Sequence, residues 1–281
     1  MTPTLSSIRV YPVKSLAGTD LAEAQVDPWG LGHDRRWLLS TPEGDVLTAR
    51  QVPGMLHLHA SPLEDGGIVL SAGDGSAQHV PPPLHGELIA TALSRLDTVR
   101  SAGSEADGWL SRHLDRPVRL GWLDEPGRRS VSEHHGGRPG DPLSLADAGP
   151  LLLTSQASLR RLNEWMMEDA AARGEDPPPA IAMTRFRPNV VVEHVDEPFA
   201  EDRWLGLRIG SVELRFAEHC DRCFLTTFDP DTLARGKEPL RTLAQHRRWD
   251  HKTWFGIRLI PVSTGKIQLG DAVTLLAEAV P

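Results

Sequence analysis

The chain has 281 residues, 40% hydrophobic and 24% charged, which suggests one large domain or two small ones with a buried core. Its formal net charge of −8 argues against general binding to nucleic acid or to an anionic membrane surface. Residues 1–30 contain no long apolar run and residues 1–4 no basic cluster, so we expect no signal peptide, no membrane span and a cytoplasmic location.

The N-terminal part is predicted to consist mainly of short strands separated by proline- and glycine-containing turns. Alternating apolar and polar residues predict these strands over 5–11, 36–39, 68–71 and 116–122. Short strands at this spacing are typical of a barrel or a sandwich. After the prolines at 81–83, apolar residues at helical spacing predict a helix over 85–96, and a second helix is predicted over 105–114.

The stretch 124–146 is rich in Gly, Pro, Arg and His and is predicted to be a long loop at a domain boundary. It is followed by the strongest helix signal, over 156–173, with Thr154 or Ser155 as its N-cap and Gly174 after its end. Later elements are also mostly strands, with one short helix. Strands are predicted over 190–192, 213–216, 224–228, 255–261 and 273–276, and the helix over 240–247.

The two cysteines, Cys220 and Cys223, are too few for a disulfide framework or for a four-cysteine zinc or iron–sulfur site. Strand-like residues flank them, so we expect both at a turn between strands. Four interpretations remain open from these residues: a redox dithiol, a zinc site that includes His219, two buried structural thiols, or one thiolate on a metal that a cofactor carries. In the last case Arg222 would favour the thiolate form of Cys223.

Several short segments occur in an order that is typical of one family. They are 11–15 (YPVKS), 30–37, 48–51, 185–189, 199–204, 209–214, 222–232, 238–240 and 269–271. Together they resemble the MOSC-domain proteins with an N-terminal MOSC β-barrel domain. The likeness is greatest to the mitochondrial amidoxime-reducing component and to the YcbX-type molybdenum-cofactor reductases.

This resemblance implies a β-rich α+β fold with a few peripheral helices. A β-barrel-like MOSC N-terminal domain over residues 1–122 would pack on a MOSC β-barrel domain over 123–281 that holds the cofactor and the cysteines. We therefore expect two domains, in agreement with the loop over 124–146.

The resemblance also implies a molybdenum cofactor (Mo-molybdopterin) whose metal is bound by Cys223. The positions that match cofactor contacts are Lys14, Ser15, Arg35, Thr154, Ser155, Arg187, Asn189 and Arg222. The cationic residues in this set can offset the anionic sulfurs and phosphate of such a group, and a helix start favours an anion. Asp221 is a candidate to relay protons in catalysis.

The implied activity is the reduction of N-hydroxylated or N-oxygenated small molecules. Because the sequence has only two cysteines, we expect electrons from a separate ferredoxin-, flavodoxin- or cytochrome-like protein. The alternative is a non-catalytic carrier of molybdenum cofactor, or of sulfur as a persulfide on Cys223. A third hypothesis is a zinc-binding structural module.

Two positions depart from the family pattern. Leu233 occupies a position where relatives usually have glycine, and it is expected to alter a turn away from the metal. Arg258 occupies a position where amidoxime-reducing relatives have an aromatic residue, and it is expected to change substrate preference or to contact the cofactor.

Overall fold

Strands dominate residues 2–279, the part of the chain that the computed structural model describes. The chain divides into two compact units whose sequences interleave. The first unit comprises Met1–Arg9, Leu21–Pro28 and Leu151–Pro281, and the second comprises Val10–Asp20 and Trp29–Pro150. The predicted domain boundary between residues 122 and 123 stays a prediction. The compact units are defined by contacts in space, whereas the predicted domains are continuous stretches of sequence.

The strands are short and are numbered here along the chain. They are β1 (Thr4–Val10), β2 (Thr19–Leu21), β3 (Glu23–Asp27), β4 (Gly30–Leu31), β5 (Trp37–Ser40), β6 (Val46–Leu47), β7 (His59–Pro62), β8 (Ile68–Ser71), β9 (Ala77–Val80), β10 (Leu88–Leu93), β11 (Leu96–Ser101), β12 (Arg119–Trp122), β13 (Leu151–Ser155), β14 (Val190–Glu193), β15 (Trp204–Ile209), β16 (Val212–Asp221), β17 (Arg248–Trp249), β18 (Lys252–Pro261), β19 (Gly265–Gln268) and β20 (Val273–Glu278). The α-helices are α1 (Ser104–Leu114), α2 (Gln156–Ala172) and α3 (Leu240–His246). Short 3-10 helices include Met183–Phe186, Ala200–Arg203 and Phe224–Thr227.

The first unit is built on a large sheet with the strand order β1-β14-β13-β18-β16-β15-β20. Its pairs are antiparallel except β13 and β14, which run parallel because α2 returns the chain between them. Helices α2 and α3 contribute to an apolar cluster of Leu162, Met166, Ile181, Phe186, Phe199, Leu243 and Phe255. Phe186 and Phe255 stack at the centre of this cluster with 3.9 Å between ring centroids.

The second unit contains the sheet β10-β11-β12-β5-β6 and the smaller sheet β7-β8-β9. Its apolar cluster consists of Leu38, Ile89, Leu96, Val99, Leu123 and Leu145. Helix α1 contributes the buried residues Ala106, Trp109 and Leu110. The backbone amide of Leu120 in β12 donates to the carboxylate of Asp107 in α1 over 2.7 Å, which fixes the helix beside that strand.

The β-rich α+β class predicted from the sequence is confirmed, and so are the helices predicted over 105–114, 156–173 and 240–247. The helix predicted over 85–96 is wrong, because this stretch forms the hairpin of β10 and β11. Its side chains alternate in burial, with Ile89 inside and Leu88 and Ala90 outside. Short apolar runs are ambiguous between helix and strand, and here β-branched residues such as Ile89, Thr91 and Val99 favour the strand.

No helix within residues 2–279 combines the length and the apolar character that crossing a membrane requires.

Candidate functional site around Cys223

Cys223 lies just after the end of β16, where it caps the N-terminus of the 3-10 helix Phe224–Thr227. Its backbone is extended, with φ −102° and ψ 173°, and its side chain is exposed. The strand predicted over 224–228 is therefore wrong, because the chain leaves the sheet at the cysteine. The exposed position leaves the sulfur accessible to a ligand.

The backbone around Cys223 is held from both sides. The amide of Arg222 donates to the carbonyl of Thr253 in β18 over 2.9 Å, and the Thr253 hydroxyl donates back to the Arg222 carbonyl over 3.3 Å. The carbonyl of Cys223 accepts from the amide of Thr226 at 3.2 Å and from its hydroxyl at 3.0 Å. Because Thr226 is buried, these contacts fix the cysteine on a rigid base.

Cys220 differs from Cys223 in that it is buried in β16. The Nη1 atom of Arg222 donates to the Cys220 sulfur over 2.6 Å, and Nη2 donates to the carbonyl of Phe186. The guanidinium also lies 5.1 Å from the centre of the Phe186 ring. We expected Arg222 to act on Cys223, but its guanidinium instead contacts Cys220 and Phe186. Its Nε atom is buried and has no hydrogen-bond partner within the described residues.

The contact with Phe186 brings Arg222 to the segment that contains Arg187 and Asn189. Arg187 ends the 3-10 helix Met183–Phe186 in the left-handed conformation, with φ 56°. Asn189 is buried and its amide joins two strands, because Oδ1 accepts from the Leu152 amide at 3.2 Å and Nδ2 donates to the Arg9 carbonyl at 3.2 Å. Asn189 thus has a structural role, and its predicted contact with a cofactor stays a prediction.

The buried carboxyl group of Glu201 contacts the start of α2, a contact that sequence analysis did not predict. Ser155 caps the helix by accepting from the amide of Ser158 at 3.1 Å. Glu201 accepts from the Ser155 amide at 3.2 Å, from the Ser155 hydroxyl at 3.0 Å and from the Ser158 hydroxyl at 2.7 Å. Burial raises the pKa of Glu201, and the hydrogen bond from Ser158 only partly opposes this. The predicted N-cap is confirmed, whereas cofactor contacts of Thr154 and Ser155 stay predictions.

Thr154 precedes this cap and is fully buried in β13. Its hydroxyl donates to the sulfur of Met183 over 3.2 Å. A Cβ atom at Gly256, whose φ is 78°, would lie 2.7 Å from the Thr154 methyl carbon. The glycine therefore allows β18 to pack closely on β13 beside Thr154.

Asp221 ends β16 within a cluster of charged side chains. Arg258 donates to Glu218 over 2.6 Å and to Asp221 over 3.1 Å, and Lys252 lies 3.7 Å from Asp221. Burial raises the pKa of Asp221, but Arg258 and Lys252 outweigh it and leave this pKa below its usual value. Asp221 is therefore a poor proton donor near neutral pH, and its predicted part in proton relay remains untested. Glu218 and Asp221, on the neighbouring strand β16, neutralise the charge of Arg258 in β18.

The second unit contains the other three predicted cofactor contacts. Lys14 is buried, and its ammonium group donates to the Leu145 carbonyl over 2.9 Å and to Asp147. Burial lowers the pKa of Lys14 although Asp147 opposes this, and Lys14 in turn holds the pKa of Asp147 far below its usual range. Ser15 follows in the left-handed conformation, with φ 72°.

Arg35 also belongs to the second unit and has a carboxylate partner there. It donates to Asp34 over 2.5 Å and lies 4.7 Å from the centre of the Tyr11 ring. Burial would lower the pKa of Arg35, but Asp34 and Tyr11 outweigh it, so the guanidinium stays charged. The second unit thus offers two cations, Lys14 and Arg35, held in fixed positions by acidic partners.

Sequence analysis missed Glu201 and Asp147, two carboxyl groups distant in sequence that contact predicted site residues. Glu201 lies 46 residues from Ser155 and Asp147 lies 133 residues from Lys14. No local pattern marks such pairs, because only the fold brings their partners together.

The donor groups of the first unit suit an anionic cofactor better than a metal held by protein ligands alone. Within the described residues, no group of three or more His, Cys, Asp or Glu side chains is arranged to hold a metal ion. The zinc site with His219 therefore has no ligand set, and His219 instead contacts the Asp202 carbonyl over 3.1 Å. The exposed thiol of Cys223 follows Arg222 in the chain, whose buried Nε has no hydrogen-bond partner among residues 2–279, and this pair fits a group that brings its own metal and negative charge.

Comparison with known sequences identifies two families along the chain. The family described as MOSC domain matches residues 132–274, and the family described as MOSC N-terminal beta barrel domain matches residues 2–117. The first match contains both cysteines, and the second contains Lys14, Ser15 and Arg35.

Curated relatives match over nearly the whole chain. Mitochondrial amidoxime-reducing component 1 of Mus musculus is 33% identical over 294 residues, covering 98% of this chain and 83% of that protein. The protein of the same name from Homo sapiens is 33% identical with the same coverage. Molybdenum cofactor sulfurase of Solanum lycopersicum is 30% identical over 99% of this chain but only 35% of that longer protein.

Similar solved structures are more distant. The YUAD protein from Bacillus subtilis has a TM-score of 0.40 and 11% identity, covering 97% of this chain and 94% of that one. YiiM from Geobacillus stearothermophilus has a TM-score of 0.30 and 12% identity, covering 46% of this chain and 54% of that one.

Proposed function

The chain belongs to the MOSC-domain family, and from this membership we propose that it is a molybdenum-cofactor-dependent reductase of N-hydroxylated small molecules. Similarity to proteins named amidoxime-reducing component supports this activity, and similarity to a molybdenum cofactor sulfurase supports the cofactor more broadly.

The observation that carries the proposal is the contrast between the two thiols. Cys223 is exposed on a backbone fixed by Thr226 and Thr253, whereas Cys220 is buried against Arg222. Of the two, only Cys223 can reach a ligand without rearrangement of the sheet. It is also the cysteine at the position that resembles the metal ligand of the family.

The residues predicted to hold the cofactor include four cations, Lys14, Arg35, Arg187 and Arg222, whose positive charge can offset its anionic sulfurs and phosphate. When bound, the cofactor supplies a metal that exchanges two electrons with the substrate. Cys223 supplies a thiolate ligand, and such a ligand tunes a metal's redox potential.

The overall reaction consumes two electrons and two protons for each N–O bond that breaks, and the oxygen leaves as water. The electrons would come from a separate ferredoxin-, flavodoxin- or cytochrome-like protein. Arg258 holds Asp221 as a carboxylate, so Asp221 carries no proton to deliver near neutral pH and the two protons would reach the substrate from solvent water.

A cytoplasmic location belongs to the same proposal. Two relatives carry mitochondrial names, so fractionation of the native cells, with the protein detected by antibody, is the direct test of location. Recovery with a membrane-bounded compartment would contradict it.

The activity is tested with protein from a host that makes molybdenum cofactor, with a reduced viologen as electron donor and an amidoxime such as benzamidoxime as substrate. Formation of the amidine is measured by chromatography. We expect turnover by the wild type, its loss in Cys223→Ser, and most of it retained in Cys220→Ser, the matched control. Full activity of Cys223→Ser would overturn the assignment.

A non-catalytic carrier is the second candidate, and the exposed thiol together with the similarity to a sulfurase favours it. A carrier would hold cofactor, or a persulfide on Cys223, for transfer to another protein. Cofactor-loaded protein that shows no turnover with any N-hydroxylated substrate, yet transfers its molybdenum to an apo-enzyme, would support the carrier and contradict the reductase.

A further inference from the structure

A polar cavity lies in the second unit at the tip of the hairpin formed by β10 and β11. It has a volume of about 520 Å³ and is lined by Thr91, Leu93, Arg95, Leu96, Asp97 and Arg128. The pairing of the two strands shifts register between Ala90 and Leu93. This bulge contains Thr91 and separates the strands locally beside the cavity. None of its lining residues belongs to the site around Cys223.

Two arginines, Arg95 and Arg128, line this cavity. Arg95 lies in the hairpin turn with φ 61°, its side chain is exposed, and it has no carboxylate partner within the described residues. Arg128 is held in a fixed orientation, because it donates to Asp124 over 2.8 Å and to the Thr98 hydroxyl over 2.6 Å. Asp97 is the acidic residue of the lining, but its side chain is 96% exposed and lies 4.0 Å from Arg128.

A third guanidinium, that of Arg129, lies buried behind the turn. It donates to the carbonyl groups of Ser94, Ser144 and Ala146, over 3.0, 2.6 and 2.5 Å. These neutral partners do not cancel its charge. Burial first, and then the like charge of Arg95, lower the pKa of Arg129 to about 10. The turn therefore keeps two cations close together, an arrangement that an added anion would stabilise.

An independent observation comes from Thr91. It is 6% exposed, and its hydroxyl is buried without a hydrogen-bond partner in the described part of the chain. Buried polar atoms are almost always satisfied, so this unpaired hydroxyl, on a residue that lines the cavity, is a group whose hydrogen bonding a ligand would complete.

We propose that this cavity binds the phosphate group of a small molecule between Arg95 and Arg128, with the Thr91 hydroxyl donating to it. The three donors stand on β10, on the hairpin turn and on the loop after β12, so they approach from different directions. A tetrahedral oxyanion with several acceptor atoms matches such donors better than a planar carboxylate does. The cavity is larger than a lone phosphate, and Leu93 and Leu96 provide apolar walls for the rest of the molecule.

The test is calorimetric titration of the full-length, cofactor-loaded protein with inorganic phosphate, phenyl phosphate and benzoate in a phosphate-free buffer. We expect phenyl phosphate to bind more tightly than phosphate, and benzoate to bind weakest. Arg95→Gln should weaken binding of phenyl phosphate about tenfold, as expected for loss of one charge-assisted hydrogen bond.

Thr91→Val separates a binding role from a structural one. Valine has nearly the same shape and removes an unsatisfied hydroxyl, so the variant should unfold at the same or a higher temperature and still bind phenyl phosphate several-fold more weakly. The matched control is Arg116→Gln, an exposed arginine of the same unit outside the cavity, which should bind as the wild type does.

Three results would overturn the proposal. They are absence of binding to either phosphate probe, unchanged affinity in both Arg95→Gln and Thr91→Val, and an equal loss of affinity in Arg116→Gln, which would indicate attraction by net charge alone.

Discussion

The guanidinium of Arg222 donates to the sulfur of Cys220 over 2.6 Å, although its next neighbour along the chain is Cys223. The geometry follows from the end of β16, where Cys220 still lies in the sheet and Cys223 begins a 3-10 helix. The arginine therefore fixes the buried thiol of Cys220, whereas the thiol of Cys223 is exposed. The two cysteines of the C-x-x-C segment thus have different chemical environments.

This difference predicts the order in which the thiols react. In protein produced without the cofactor, iodoacetamide should modify Cys223 in the folded state and Cys220 only after unfolding, because burial blocks access to the second sulfur. Peptide mass spectrometry over a time course measures the extent of modification at each of the two cysteines. Cys220→Ser should keep the fast reaction, and Cys223→Ser should abolish it. Faster modification of Cys220 in the folded protein would contradict the structure.

Glu201 should contribute strongly to stability through its contacts with Ser155 and Ser158. Glu201→Ala leaves these buried donors without an acceptor, so we expect the free energy of unfolding to fall by about 2–4 kcal/mol. Glu201→Gln retains one acceptor oxygen and should lose much less. Chemical denaturation measures both variants, and an equal loss in the two would contradict the assigned role.

The same residue predicts a pH dependence of stability. Burial raises the pKa of Glu201 in the folded protein above that of the unfolded chain, so the folded state binds this proton more tightly. The contribution of Glu201 to the free energy of unfolding should therefore decrease as pH rises from about 4.3, the unfolded pKa, to the folded pKa. The free energy of unfolding is measured against pH for both proteins, and the Glu201→Gln curve is subtracted from the wild-type curve to isolate this effect. A difference in free energy that grows with pH would contradict the raised pKa of Glu201.

The sequence predicted the fold class and the longer helices because these depend on local periodicity. Helix α2 has an apolar face, a serine cap and a terminal glycine, all readable from residues 154–174. The β10–β11 hairpin was mistaken for a helix because Leu88, Ile89, Ala92 and Leu93 also fit helical spacing. Only packing of Ile89 against Leu96 and Val99 decides between the two.

The candidate site was predictable where a motif marks it and not where tertiary contacts define it. Cys223 was identified by its segment and is exposed, and its role as a metal ligand stays a prediction. The partners of Arg222 and Ser155 were not predictable, because Phe186 and Glu201 are 36 and 46 residues away. Polar residues chosen as cofactor contacts, such as Asn189, also satisfy buried backbone groups, a role that sequence patterns do not reveal.

Leu233 adopts the left-handed backbone conformation, with φ 58°. This conformation suits glycine, and the leucine bears a steric cost there. We expect Leu233→Gly to raise the free energy of unfolding by about 0.5 kcal/mol. The neighbouring Ala234, whose φ is not positive, is the matched control, and Ala234→Gly should lower it by about 0.5–1 kcal/mol. Destabilisation by both changes would contradict the assigned strain.

The central claim, that the sulfur of Cys223 binds molybdenum, is tested most directly by X-ray absorption at the molybdenum edge. Wild-type and Cys220→Ser proteins should show the same sulfur shell around the metal, and Cys223→Ser should show one sulfur fewer at equal cofactor content. An unchanged sulfur count in Cys223→Ser would contradict the claim.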